Sequence, residues 1–576
     1  MQELKEAIKN ASKNLFGVDV EPELTRPEEQ FGDYTTNVAM QLAPMLRSGQ
    51  AGQLDKKPRE IAEKLAQHVK GPSFHKVEVA GPGFINFWLS DQALTKLLDI
   101  KLTNQLVGQE VVVEYSDPNP FKILHVGHLY TSVVGDAIAN LFEAAGANVH
   151  RVNFGGDVGL HVAKTMWAIL QNIGGELPEK LSQIEKTRRP QWLAERYVEG
   201  NQAYDDNAVA KTEIEKLNQW IYQIHDRQDK TSPLAQIYWT TRQWSYEYFD
   251  DFYAKIGSHF DKYYSESETV EPGLKAVKEN ISKVFEQSAG AIVFKGEVHN
   301  MHTRVFINKQ GLPTYETKDV GLLLKKWEDY HFDKSIVITG NEIYEYMQVV
   351  LKAVEQFAPE LVQKTTHITH GLVKLAGGVK MSSRKGNVIQ AENVLMAANE
   401  ANIKVNQQEN FDVALGAVKY AFLKQRIGAD IIFDPAESVS LLGNSGPYLQ
   451  YALVRAKSIL SKAQNRVTGD RLSILRSGGT ATAEDGQVTE FEAEERSLAR
   501  KIGEYSEIVE KAVDELMPHH ICTYLYELAQ TFNRFYESNR VVGDPRQVLR
   551  LKLVKSYVDV LKNGLELLNI PAPEKM

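Results

Sequence analysis

Cysteine is nearly missing from this chain of 576 residues, where Cys522 stands alone. One thiol cannot close an intrachain disulfide or build a cysteine-rich zinc site, and a chain without disulfides fits a reducing compartment. Long apolar runs are missing as well. None approaches the roughly 20 residues that span a bilayer, and the opening Met1-Gln2-Glu3-Leu4-Lys5 does not read as a cationic leader followed by an apolar stretch. A cytoplasmic location is therefore expected. Positive charge is in short supply too, with 66 Lys and Arg against 75 Asp and Glu for a net charge of -9, which argues mildly against a nucleic-acid partner. Such a partner needs only a local basic stripe, however, and Arg540, Arg546, Arg550, Lys552 and Lys555 supply a candidate.

What is plentiful is apolar content. At 43% hydrophobic residues the chain can support several cores, and its length suggests three or four units. Residues 1–105 mix helical periodicity (Ile8, Leu15; Ile61, Leu65, Val69) with strand-like ends around Gly81-Pro82-Gly83, a small α+β unit in which periodicity alone places Phe84 in the core. Over 106–435 strand and helix signals alternate, as in a doubly wound parallel sheet of Rossmann-like type. A polar, aromatic-dotted helical pattern over about 172–288 reads as an insertion. The sheet is expected to resume at Ala291-Ile292-Val293-Phe294, with a hairpin near Asn308-Lys309-Gln310-Gly311. From 436 to 576 the chain reads as an all-α bundle, with an exposed loop near Ser477-Gly478-Gly479.

Two short strings carry the chemistry. His125-Val126-Gly127-His128 follows the apolar run Val111-Val112-Val113 and the loop Asp117-Pro118-Asn119-Pro120, and opens a segment with Leu129, Val133, Ala137 and Leu141 at helical spacing. A helix start of this kind offers unpaired backbone N–H groups and partial positive charge to a triphosphate, with Gly127 allowing close approach. His125 and His128, one turn apart, can both face one ligand. Far downstream, Lys380-Met381-Ser382-Ser383-Arg384-Lys385-Gly386 places cations on a glycine-flanked backbone suited to a pyrophosphate.

With both strings in this order, the chain resembles the class I aminoacyl-tRNA synthetases in their HIGH and KMSKS signatures. Glu114-Tyr115-Ser116-Asp117-Pro118-Asn119-Pro120, Asn153-Phe154-Gly155-Gly156-Asp157-Val158-Gly159, Tyr315-Glu316-Thr317-Lys318-Asp319 and Gly446-Pro447-Tyr448-Leu449-Gln450-Tyr451-Ala452 narrow it, being similar to arginyl-tRNA synthetases. The resemblance implies an arginine–tRNA ligase that uses ATP with Mg²⁺, holds no structural metal, and takes L-arginine and tRNA(Arg) as partners. No membrane partner is expected, and a monomer is. By the same resemblance His125, Gly127, His128, Lys380 and Arg384 are catalytic. Lys380, Met381, Ser382 and Ser383 join the histidines and Gly127 on ATP, and Glu114, Asn119, Tyr315 and Asp319 bind arginine. The N-terminal unit would bind the tRNA elbow through Phe84 and Asn86, and the C-terminal bundle the anticodon arm, with Tyr536 and Arg540 as contacts.

Two departures from the family pattern stand out. Ser383 replaces the second lysine of KMSKS, leaving Arg384 or Lys385 to take its part, and His161 stands where many members carry glutamine. Which of Asn341, Glu342 or Gln348 contacts the amino acid stays open. So do two alternatives: a class I synthetase for another amino acid, against which the paired acids argue, and a non-catalytic tRNA-binding paralogue, against which the intact motifs argue.

Overall fold

The computed structural model describes residues 2–47, 57–69, 71–102, 104–376, 389–407, 409–466 and 490–576. The string Lys380-Met381-Ser382-Ser383-Arg384-Lys385-Gly386 lies outside them. The chain divides into two compact units, one of residues 1–101, 455–507 and 524–562, the other of 102–454, 508–523 and 563–576.

In the first unit three antiparallel strands, β1 (Tyr34–Thr36), β2 (Phe74–Ala80) and β3 (Phe84–Leu89), lie in the order β1-β3-β2. Ile85, Phe87 and Leu89 of β3 alternate into the core, packed with Leu42, Ile61 and Leu65 from the Val38–Arg47 and Pro58–His68 helices. Phe84, by contrast, is 39% exposed at the strand's start, so the core placement suggested by periodicity does not hold. C-terminal helices belong to this unit too. Arg496 meets Asp33 at 2.7 Å and Asp91 at 3.0 Å, and Glu507 receives Arg26 at 2.7 Å.

The second unit is built on five parallel strands. Its strands in chain order are β4 (Glu110–Glu114), β5 (Asn148–Gly155), β6 (Lys262–Ser265), β7 (Glu286–Ser288), β8 (Ala291–Phe294), β9 (Arg304–Ile307), β10 (Lys334–Gly340), β11 (Thr365–His370), β12 (Val373–Leu375) and β13 (Ile431–Phe433). The main sheet runs β11-β10-β4-β5-β6, so the strand order reverses between β4 and β10. Ligands of such sheets sit at the carboxyl ends of the strands flanking that point. Val111, Val112 and Val113 are wholly buried, as a central parallel strand covered on both faces requires.

The sheet resumes earlier than the sequence pattern indicates. It takes up again at β6, while Ala291–Phe294 belongs to a separate antiparallel sheet, β7-β8-β9. The cause is local: Lys262-Tyr263-Tyr264-Ser265 is short and lacks an apolar run, whereas Ile292 and Phe294 are buried with Phe285 and Phe306 in the core they share with Val112, Val152 and Val337 of the main sheet. The helical insertion ends at Ile256, where Gly257 caps it in the left-handed conformation (φ 68°). Its helices gather Trp192, Ile214, Ile221, Tyr238 and Trp244 around Val162, Met166 and Ile169.

Candidate active site

The loop from β4 to the Val126–Ala144 helix is bent through three non-glycine residues of positive φ, Ser116 (74°), Asp117 (48°) and Phe121 (68°), a costly arrangement that clusters at functional sites. His125 caps the helix. Its Nδ1 accepts Gly127 N–H at 3.1 Å and His128 N–H at 3.4 Å, while His128 Nδ1 accepts His125 N–H at 3.2 Å. The rings stack at 3.7 Å and 22°. Gly127 is required by this stack, since a Cβ there would meet the His125 ring at 2.9 Å.

This arrangement corrects the expected phosphate chemistry. Val126 N–H is also taken, by Ile389 O at 2.9 Å, and Leu129 N–H by His125 O at 3.2 Å. The helix start therefore has its backbone donors already committed. What it offers instead are the imidazoles: each ring accepts at Nδ1, so each carries its proton on Nε2. Burial, then the charge of nearby Lys122, depresses His125 to about 4, and burial and His125 hold His128 well below its ordinary value. At neutral pH the pair is two uncharged Nε2–H donors held in parallel.

The described residues just after the 377–388 stretch run beside this entry. Ala391 N–H donates to Leu124 O at 2.9 Å, and His125 forms a β-bridge with Gln390.

The expected arginine-binding residues converge at the β4–β10 switch point, but in unequal states. Glu114 is 4% exposed and ion-paired with Lys326, which also donates to Ser335 Oγ at 3.2 Å. It does not present a bare carboxylate, so the two acids do not form a matched free pair. Among the described residues Asp319 accepts only the Tyr346 hydroxyl, and burial, with Glu114 and Glu266 nearby, pushes its carboxyl up to about 8. Asn119 Oδ1 accepts Gly156 N–H at 2.8 Å, which leaves the amide nitrogen as its donor. Tyr315, half exposed, reaches His161 Nδ1 at 3.3 Å, and His161 Nε2 donates to Gly156 O at 2.8 Å, the ring kept neutral by burial. A Cβ at Gly156 would meet Asn119 at 2.6 Å, so this glycine is what lets the two segments close on each other.

Comparison with known proteins decides the family. Residues 91–434 match the catalytic domain of the class I (R) tRNA synthetases, residues 2–89 the arginyl-tRNA synthetase N-terminal domain, and residues 449–576 the DALR anticodon-binding domain. The arginine–tRNA ligase of Bdellovibrio bacteriovorus is 30% identical over 546 residues, covering 90% of this chain and 89% of its own length. The chain belongs to the arginyl-tRNA synthetase family. The corresponding ligase of Bacteroides thetaiotaomicron is 26% identical across 99% of this chain and 98% of its own. Among solved structures, Thermus thermophilus arginyl-tRNA synthetase aligns over all of both chains with a TM-score of 0.78 and 26% identity. Family membership favours arginine over the two alternatives kept open above.

Against the arginyl-tRNA synthetase pattern, the sequence missed residues that govern the site. Tyr346, on the helix that follows β10, donates its hydroxyl to Asp319. Asp117 is a third carboxyl at the pocket, accepting Phe154 N–H at 2.8 Å and pushed well up by burial and Glu114. The buried Lys318–Glu266 pair braces Tyr315, whose ring lies 5.1 Å from the ammonium. An acid at the head of the Pro118-Asn119-Pro120 loop and a tyrosine on the first turn of the helix after β10 were the available signals.

Of the expected tRNA contacts, Phe84 is open, Asn86 is 6% exposed, Tyr536 faces Arg455 at 4.9 Å, and Arg540 is exposed. The basic stripe shrinks: Arg546 and Arg550 are spent on Glu492 and Glu495, and Lys555 pairs with Asp559 at 2.6 Å. Among the described residues no group of three His, Cys, Asp or Glu is placed to hold a metal, and no helix is long and apolar enough to cross a membrane.

Proposed function

We propose that the chain is an arginine–tRNA ligase. It joins the carboxylate of L-arginine to the α-phosphate of ATP, releasing pyrophosphate, and transfers the arginyl group from the adenylate to the 3′-terminal adenosine of tRNA(Arg), releasing AMP. The observation that carries this reading is the pair of neutral Nε2–H donors on the helix after β4 together with Asp319, a buried carboxyl that pairs with no cation among the described residues, at the switch point of one parallel sheet.

The parts divide naturally. His125 and His128 donate to phosphate oxygens as charge builds on them, a role for donors fixed in advance and kept from water. Asp319 takes the guanidinium, Tyr315 lines its path, and Asn119 turns its amide nitrogen to the amino acid's carboxylate. Asp117 lines the pocket beside these residues, its carboxyl pushed well up by burial and by Glu114. Glu114 acts one layer back, neutralised by Lys326 and holding Asp319 under negative potential. Mg²⁺ enters with ATP as part of the substrate, and Lys380 and Arg384 are assigned to the leaving pyrophosphate. Catalysis is mostly positioning and charge stabilisation. The exposed Phe84 and Arg540 and the partly buried Tyr536 are assigned to tRNA, and the enzyme is proposed to work as a cytoplasmic monomer.

The deciding assay is pyrophosphate exchange with each amino acid, with and without tRNA. Exchange with arginine in the presence of cognate tRNA is expected, and lysine should fail because a compact ammonium leaves acceptor sites built for a planar fork unfilled. Rapid exchange with any other amino acid and little with arginine plus tRNA would refute the reading.

A further inference from the structure

A buried polar cluster in the second unit lies away from the ligand pocket and takes no direct part in the chemistry above. Its hub is Asp136, 2% exposed, three turns down the helix that His125 caps. Asp136 accepts the Tyr115 hydroxyl at 2.7 Å, Asn569 Nδ2 at 3.0 Å, and the Ser258 hydroxyl. Asn569 also donates to Gly257 O at 3.0 Å, and its own carbonyl accepts Lys419 Nζ at 2.5 Å. Lys419, 1% exposed, donates in turn to Ile256 O at 2.6 Å. One turn further along the helix, Asn140 Nδ2 donates to Glu566 O at 3.0 Å, and Gln450 Nε2 fixes Pro571 O at 2.8 Å. The segment 566–571 thus grips two successive turns of the helix that bears the histidine pair.

Two details argue that this grip is built rather than incidental. Asn569 adopts φ 52°, left-handed for a non-glycine residue, and this backbone geometry accompanies the two hydrogen bonds its amide donates. Gly135 lets the Tyr115 ring lie against the helix, since a Cβ there would come within 2.1 Å of it. Tyr115 directly follows Glu114. The cluster therefore ties the histidine helix, the strand end at the amino-acid pocket and the chain's last residues to one carboxyl. A buried acid with this many partners is weak as a source of stability but well suited to fixing one register of the elements around it.

We propose that the 566–571 segment is a working part of the ATP site and that Asn569 is a positioning residue: by holding Asp136 it sets the placement of the Val126–Ala144 helix, and so where the Nε2–H groups of His125 and His128 point. This rests on the reading that those histidines serve the phosphates of ATP. Asn569→Gly is the variant of choice, because glycine keeps the left-handed backbone and removes only the side-chain donor. In tRNA-dependent arginine–pyrophosphate exchange its kcat per titrated active site should fall about tenfold while the arginine KM stays within about twofold, as for loss of an interaction that matters in the transition state. In a His128→Ala background Asn569→Gly should add less than about twofold, because positioning has no effect without the group positioned. Wild-type kcat per active site in Asn569→Gly, or the full tenfold loss repeated in the His128→Ala background, overturns the proposal. Wild-type kcat in His128→Ala alone would instead overturn the ATP-site reading beneath it.

Discussion

Two buried carboxyls, one in each unit, meet opposite fates. Glu495 in the first unit is fully covered and accepts Arg550 Nε at 2.7 Å and Arg546 Nε at 2.9 Å. Burial pushes its carboxyl up, but the two guanidinium groups outweigh that and hold it below its ordinary value. Asp319 in the second unit receives one hydroxyl, pairs with no cation among the described residues, and rises to about 8. The first is a finished arginine–carboxylate site made within the chain. The second is the same chemistry with the guanidinium left out, which is what a site for free arginine has to be. A buried charge removed from its partner is among the costlier defects in a fold, so the unfilled acid marks function where the filled one marks structure.

The comparison can be broken at either end. Glu495→Ala removes the carboxyl beneath Arg546 and Arg550, which keep Glu492 as a partner, and should cost about 1–3 kcal/mol of stability, read by chemical denaturation. A loss under about 1 kcal/mol would mean the pair is not what holds those helices. Asp319→Asn should instead leave the fold intact and raise the arginine KM about a hundredfold, while ATP KM stays within about twofold, in the range for removing one partner of a desolvated charge pair. Equal changes in both constants would make Asp319 a general structural residue. A smaller effect sharpens the contrast. Because the carboxyl is raised, it is protonated below about pH 8 and must lose that proton to meet a guanidinium. The arginine KM should therefore rise as pH falls below about 8, by up to about tenfold per unit, and level off above it. In Asp319→Asn the profile should be flat.

Much of this was legible in the residues. The strand, loop and helix around His125 follow from an apolar run and helical spacing, and the family strings point to Asn119, Tyr315 and Asp319. Other features depend on partners that only the fold brings together. Lys326, about three turns past Tyr315 on one helix, neutralises Glu114 on a strand more than 200 residues earlier. The reciprocal histidine cap is local in sequence, yet a ring nitrogen is an uncommon capping acceptor, so the backbone N–H groups of such a helix start look open to a ligand. Arg546 and Arg550 look like a free basic face until Glu495, some 50 residues away, is seen beneath them. Strand β6 was missed because its four residues owe their place to neighbours rather than to their own apolarity.

The central claim, that the pocket holds a carboxyl awaiting a guanidinium, is tested most directly by counting protons. Arginine binding would be measured by titration calorimetry at pH 7 in buffers of different ionisation enthalpy, with cognate tRNA present and absent, on the native enzyme and on Asp319→Asn. The account predicts release of about nine-tenths of a proton per arginine bound by the native enzyme, as follows for a group titrating near 8 that must ionise on binding, and none by the variant. Binding by the native enzyme with no buffer dependence would show that Asp319 is already ionised and would contradict the account.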